Sequence, residues 1–167
     1  SHTINVTTKL GNHRSRIKSF DINHIKRTFD TTVSTLGVLP KSALLHNPRQ
    51  PLPELEGLIE ELRLWLPSEV SLGISLSNDS LYPINLINSL DISQIDYNFL
   101  FKHSQEDSLN NIQARSVLAT GLLLKPSDVI LDGFTQDDQR ASWVKDQRAL
   151  QLSSSVRRFQ SLCVEHG

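Results

Sequence analysis

The strongest constraint on the fold is a change of hydrophobic period at Pro67. Before this proline, leucine and isoleucine recur every three or four residues from Leu55 to Leu66 with glutamates between them, which predicts an amphipathic helix. After it, apolar residues alternate with serine and glycine from Val70 to Leu76, which predicts a half-buried strand. A helix that leads directly into a strand favours a layered α/β architecture.

The rest of the chain is predicted to supply further strands and helices. Apolar residues alternate on both sides of Gly11-Asn12, over 4–8 and 17–22, so an N-terminal β-hairpin is expected. The stretch 23–47 combines helical spacing with many β-branched residues and supports neither assignment. Downstream, strands are predicted over 81–87, 129–134 and 141–145, and helices over 91–100, 112–124 and from 150 to the stop at Gly167.

Composition sets the size of the domain and reveals an uneven charge. The chain has 167 residues, enough for one domain or two closely packed subdomains, and its single cysteine, Cys163, excludes an internal disulfide. The net charge is −1, yet residues 1–50 carry 8 Lys or Arg against 2 Asp or Glu, whereas residues 51–110 carry 2 against 10. This separation predicts either two differently charged faces or two halves that neutralise each other.

Motifs for bond chemistry are missing from the sequence. The six histidines form no HExxH motif and no i, i+4 pair, so no metal site is expected. None of the patterns GxxxxGK[ST], GxGxxG and GxSxG occurs, and the turn from Leu10 to Arg14 has no carboxylate for magnesium. The sequence therefore predicts a protein without catalytic residues, metal or cofactor.

Basic residues near the N-terminus are the candidate partner-binding residues. Arg14, Arg16 and Lys18 have the same parity, so in a hairpin they would share one face, and Lys26 and Arg27 follow closely. This set could bind an acidic protein patch or anionic lipid headgroups, or it could be an exposed face without a partner. Nucleic acid is not expected, because the nearby phenylalanines are assigned to the core rather than to base stacking.

Three segments within residues 51–167 carry a resemblance to a known family. They are PELEGLIEELRLWLPSEVSLGISLSNDSLYPINL, SLDISQIDYNFLFKH and PSDVILDGFTQDDQRASWVKDQRALQLSSSVRRFQSLCVEHG. Their order resembles that of the cytoplasmic actin-like domain of the PilM and GspL proteins, although LIN stands where that family usually has an LP step. The resemblance implies the N-terminal half of an actin-like/RNase H-like α/β fold over residues 1–167, with a small inserted α/β subdomain over approximately 68–136.

The same resemblance implies a scaffold rather than an enzyme. Proteins of that family hold the cytoplasmic assembly ATPase under the bacterial inner membrane in type IV pilus and type II secretion machines. The expected partners are this ATPase and a polytopic inner-membrane platform protein, at the cytoplasmic face of the membrane, with an anchor in a later segment of the full-length protein. Two alternatives stay open: an actin-like nucleotide-binding ATPase fragment, and a basic-surface binder of anionic lipid or nucleic acid.

Overall fold

A computed structural model describes residues 4–12, 18–76, 82–101, 106–132, 134–142 and 147–166. These residues form a parallel five-stranded sheet with helices, so the predicted α/β class is confirmed. The strands are β1 (Thr7–Leu10), β2 (Ser42–His46), β3 (Ser71–Leu76), β4 (Ile92–Asp96) and β5 (Ile112–Arg115). The helices are α1 (Ile22–Leu36), α2 (Leu52–Trp65), α3 (Ile84–Asn88), α4 (Ser127–Asp132) and α5 (Gln147–His166), with 3₁₀ turns at Glu106–Ser108, Leu122–Leu124 and Gln139–Ser142.

The chain divides into two compact units. Unit 1 comprises residues 1–95 and 103–113, and unit 2 comprises residues 96–102 and 114–167. Unit 1 holds most of the sheet together with α1, α2 and α3, whereas α4 and α5 pack on a separate apolar core in unit 2. The predicted inserted subdomain, approximately 68–136, has other bounds than these units and stays a prediction of the resemblance.

The strands of the sheet follow one another in chain order, β1-β2-β3-β4-β5. The first three ladders are parallel, with Leu10 opposite Leu45, Leu45 opposite Ile74, and Ile74 opposite Ser93. Leu10, Leu45 and Ile74 belong to the same apolar core as the buried side chains of α1, α2 and α3. These three helices therefore cover one face of the sheet, and the strand residues of the other parity point to the opposite face.

Helix α1 occupies the stretch in which the sequence supports neither assignment. The Asp21 carboxylate caps it by accepting the His24 N–H at 2.9 Å, and Gly37 ends it with a φ of +67°. The hydroxyl groups of its threonines donate to carbonyl oxygens three or four residues earlier, which accommodates them in the helix. Ile25 and Phe29 are buried in the core of unit 1, so packing decides in favour of a helix.

The predicted N-terminal hairpin is wrong for β1. The four residues of β1 pair with β2 in parallel. Among the described residues that follow β1, the antiparallel pairing expected of a hairpin is seen as one bridge between Asn12 and Lys18. Helix α1 supplies the crossover that a parallel pair requires, and β2 offers a nearly fully buried apolar partner. The actin-like strand order that the resemblance implies is not confirmed by this sheet.

Several downstream elements differ in type from their predictions. The predicted strand over 81–87 contains most of α3, and the predicted helices over 91–100 and 112–124 contain β4 and β5. Asp91 is the reason why strand β4 forms in place of the predicted helix over 91–100. Its carboxylate does not cap a helix but accepts the Leu72 N–H at 2.8 Å, and its own N–H donates to the Leu72 carbonyl oxygen at 2.9 Å. These two bonds fix the start of β4 beside β3 and override the local helical pattern.

Of the remaining predictions, one strand has the wrong type, one strand lies mostly outside the described residues, and three elements are confirmed. The predicted strand over 129–134 overlaps α4, which follows Pro126, and the predicted strand over 141–145 starts in a 3₁₀ turn and otherwise lies outside the described residues. The helix before Pro67, the strand after it and the closing helix are confirmed as α2, β3 and α5, although β3 is buried on both faces and not half-buried. Long periodic segments were therefore the predictable ones.

Two fully buried serines are expected to have opposite effects on stability. Ser93 Oγ has no hydrogen-bond partner among the described residues, so Ser93→Ala should raise the free energy of unfolding by about 1 kcal/mol. Ser75 Oγ donates to Gln94 Oε1 at 2.9 Å, so Ser75→Ala should lower it by about 1 kcal/mol. Urea denaturation of the two variants measures both changes, and equal losses at the two positions would contradict the assigned bonding.

Candidate functional site

Polar side chains lie in one line across the face of the sheet opposite to α1, α2 and α3. The register places His46 opposite Ser75 and Ser75 opposite Gln94, and a hydrogen bond links Gln94 to Gln113 on β5. We call these four residues the polar row. It starts at the carboxyl end of β2, and parallel α/β sheets bind their ligands beyond the carboxyl ends of their strands. The polar row is therefore the candidate functional site of unit 1.

Hydrogen bonds fix the inner part of the polar row. Ser75 Oγ donates to Gln94 Oε1 at 2.9 Å, and Gln94 Nε2 donates to Gln113 Oε1 at 2.6 Å. Ser75 is fully buried and Gln94 nearly so, whereas His46 and Gln113 are half-buried. These two bonds hold the side chains of Ser75, Gln94 and Gln113 in one orientation. A ligand group that bound there would meet polar atoms that are already fixed, which strengthens such a contact.

Backbone bonds hold the end of β2, where the polar row begins. The Asn47 N–H donates to the Ser75 carbonyl oxygen at 2.7 Å, and Lys18 Nζ donates to the His46 carbonyl oxygen at 2.6 Å. Asn47 has a φ of +47°, a left-handed conformation that is unusual for a residue before a proline. Such backbone conformations cost free energy and are concentrated at functional sites.

Lys9 lies on the same face as His46, on the neighbouring strand. It is exposed, and the register places it opposite Leu44, two residues before His46. From the spacing of strands and the rise per residue, the Cα atoms of Lys9 and His46 are roughly 8 Å apart, a distance that a lysine side chain bridges. No Asp or Glu occupies a position of this parity on β1, β2 or β3.

The Gly11 turn, where an actin-like protein would hold phosphate, is closely packed. Gly11 is buried with a φ of +86°, and a Cβ atom added to it would lie 2.5 Å from the Phe20 ring. The Ser19 N–H also donates to the Gly11 carbonyl oxygen at 3.0 Å. The Phe20 ring thus fills the space beside the glycine, and the described residues of this turn add no support for nucleotide binding.

The predicted basic residues have different surroundings where they are described. Arg14 and Arg16 lie outside the described residues. Lys18 binds the carbonyl oxygen at the end of β2, Lys26 pairs with a glutamate of α2 at 2.9 Å, and Arg27 is exposed on α1. Binding of a partner through these five residues stays a prediction, and Lys18 is the member that contacts the end of β2.

Unit 2 contains a close ion pair with a consequence at low pH. Arg140 Nη2 lies 2.6 Å from Asp138 Oδ2, and the hydrogen bonds from Arg140 lower the pKa of Asp138 from 3.8 to about 2. Because the folded-state pKa is the lower one, this pair stabilises the fold above about pH 4, and the stabilisation is lost as the pH falls toward 2.

An NMR titration of the Asp138 carboxyl group tests this shift. We expect a midpoint near 2 in the protein and a higher midpoint in Arg140→Ala, because the side-chain hydrogen bonds that favour the carboxylate are then absent, while the backbone N–H of residue 140 still donates to it. Identical Asp138 midpoints in the two proteins would show that Arg140 is not the cause.

Metal clusters and membrane spans are not found in the described part of the chain. Among the residues that the structure describes, no group of three or more His, Cys, Asp or Glu side chains could hold a metal ion. Within the same residues, no helix combines the length and the apolar character needed to cross a membrane. In unit 1 the strand register places Lys9 close to His46 of the polar row.

Comparisons with known proteins assign no family to the chain. Because no family is assigned, the polar row is interpreted from its own geometry. The sequence matches no protein-family model, and it matches no curated protein.

Proposed function

We propose that unit 1 binds a small carboxylate or carbonyl compound at the carboxyl end of its sheet, with Lys9 and His46 as hydrogen-bond donors to the ligand oxygen. The observation that carries this proposal is the placement of an ammonium and an imidazole on adjacent strand ends, beside a row of fixed polar side chains. Ammonium and imidazole groups donate to oxygen, and the first also neutralises negative charge. The same two groups would stabilise charge that develops on a carbonyl oxygen.

The sheet order supports this location. Strands that follow one another in chain order, with α1, α2 and α3 on one face, resemble consecutive units of a (β/α)₈ barrel. In such barrels the residues that act on ligands come from the carboxyl ends of the strands and the loops that follow. This support is an analogy at the level of the fold, and the site itself is argued from Lys9 and His46.

A two-dimensional NMR titration with pyruvate tests the proposal, because pyruvate carries both a carboxylate and a carbonyl oxygen. We expect saturable shifts of the Asn47 amide and of the Gln94 and Gln113 side-chain amides, which lie in or beside the polar row. Acetate, which lacks the carbonyl group, should bind more weakly. Shifts that are absent, or that fall on unit 2 alone, would refute a ligand site at this end of the sheet.

The scaffold function implied by the PilM and GspL resemblance is the second candidate. Leu36, Val38 and Leu39 are 46%, 52% and 42% exposed at the end of α1 and in the loop after it, and exposed apolar residues in contiguous stretches are typical of protein contacts. On this proposal the chain recruits a cytoplasmic assembly ATPase to the platform protein of the inner membrane. A pull-down with a pilus or secretion ATPase at micromolar concentration tests it, and retention lost in Val38→Asp would support it.

A further inference from the structure

An apolar groove lies between the carboxyl ends of α1 and α2, on the side of the helices away from the polar row. Its volume is about 400 Å³, and apolar side chains dominate its lining, among them Phe29, Val33, Leu39 and Trp65. The Trp65 ring is half-buried and meets the Phe29 ring edge-on, with the ring centres 5.4 Å apart. This α1–α2 groove is therefore a preformed apolar depression with an aromatic wall.

The electrostatics of the α1–α2 groove are negative. Helix α1 ends here without a basic residue in its last turn, and exposed Asp30 lines the groove. Helix α2 has Arg63 in its last turn, where its guanidinium donates to the Ser89 carbonyl oxygen and keeps its positive charge. The carboxyl ends of helices carry partial negative charge, so the end of α1 and Asp30 favour a cation at this place, whereas Arg63 offsets the end of α2.

The acidic surface continues along α2 beyond the groove. Four glutamates, Glu54, Glu56, Glu60 and Glu61, are exposed on this helix. One cation near the groove, Lys26, is already paired with Glu61 at 2.9 Å and lies 5.7 Å from the Trp65 ring centre. The surroundings of the groove thus combine apolar contact area with an excess of negative charge.

We propose that the α1–α2 groove binds a basic amphipathic helix of a partner protein, with leucine-like side chains in the groove and Lys or Arg over its acidic rim. Helices of this kind dock by inserting apolar side chains of one face into a groove, while charge complementarity selects the partner. The groove residues and the polar row lie on opposite faces of the sheet in unit 1, so this surface does not depend on the ligand site. It also does not depend on the ATPase being the partner.

The test uses the fluorescence of Trp65 in a Trp143→Phe background, since the sequence has two tryptophans. The probe is a helical peptide of leucine and lysine with leucines at i, i+3, i+4 and i+7, and the matched peptide has glutamate in place of lysine. We expect the lysine peptide to change the Trp65 emission with a micromolar Kd and the glutamate peptide to bind about tenfold more weakly. Equal affinities would overturn the proposal.

Variants localise the peptide. Leu39→Asp should abolish the response, whereas Leu64→Asp, at a 90% exposed position of α2 outside the groove lining, should leave it unchanged. Asp30→Asn keeps the shape and should reduce the preference for lysine over glutamate. An unchanged response in Leu39→Asp would overturn the assignment of the groove. So would self-association of the chain that Leu39→Asp abolishes in sedimentation experiments, because a second copy would then be the occupant.

Discussion

Gly73→Ala is expected to lower the free energy of unfolding by about 3 kcal/mol. A Cβ atom at this position would lie 2.5 Å from the Ile92 carbonyl oxygen and 2.6 Å from Leu44 Cδ2. The carbonyl belongs to the backbone of β4, opposite Gly73 in the ladder, so it cannot move away without disturbing the pairing of β3 with β4. The glycine is required by the close approach of three neighbouring strands, and urea denaturation measures the loss.

Gly57→Ala is the matched control for this experiment. Gly57 is exposed within α2, and a Cβ atom there would have no neighbour within 4 Å. Alanine is the better helix former, so this change should raise the free energy of unfolding by about 0.5–1 kcal/mol. If Gly73→Ala proved as well tolerated as Gly57→Ala, the close packing of β2, β3 and β4 described above would be wrong.

Lys9→Ala and His46→Gln are each expected to weaken pyruvate binding by about tenfold or more. A hydrogen bond from a charged group contributes roughly 1.5–3 kcal/mol, and 1.4 kcal/mol corresponds to a factor of ten in Kd. His46→Gln keeps a polar side chain of similar reach but removes the imidazole. Lys9 is exposed and His46 is half-buried, and neither residue belongs to the apolar core of unit 1.

Lys41→Ala separates the role of Lys9 from a general effect of charge. Lys41 is also exposed, but it precedes β2 and therefore lies at the amino end of the strand, opposite the end that carries His46. Its replacement changes the net charge equally and should leave the Kd for pyruvate within about twofold, because exposed charges at a distance are screened by salt. Equal losses in Lys9→Ala and Lys41→Ala would mean that pyruvate responds only to the overall charge.

The parts of the fold that could be predicted are those in which one hydrophobic period continues for many residues. The leucines of α2 and the alternation in β3 have different periods, and Pro67 separates them, so type and boundary were both predictable. The closing helix α5 was predictable for the same reason. In these segments local pattern and tertiary packing agree.

The elements that were not predictable depend on partners distant in sequence. Strand β4 contains Ser93, Gln94 and Asp96, which is a poor strand pattern, and it forms because Asp91 binds the backbone of Leu72 on β3. Strand β1 is a similar case, since nothing near it in sequence indicates parallel pairing with β2 across the whole of α1. Tertiary context thus decided both elements.

The candidate site could not be predicted because it depends on strand register. Lys9, His46 and Gln94 are separated by 37 and 48 positions in the sequence, and only the pairing of four strands brings them to one face. One local signal was available: in Leu44-Leu45-His46-Asn47-Pro48 a buried apolar run ends in a polar pair before a proline. Such a strand end marks the edge where ligands bind once the strand is known to be parallel.

A double-mutant cycle on pyruvate binding tests most directly whether Lys9 and His46 act on one ligand oxygen. Each single variant removes one donor, and groups that share a partner do not contribute additively. We expect the Kd of the double variant Lys9→Ala/His46→Gln to be distinctly lower than the wild-type Kd multiplied by the factors of the two single variants. Strictly multiplicative losses, or a wild-type protein that binds no pyruvate at millimolar concentration, would contradict a shared site at the carboxyl end of the sheet.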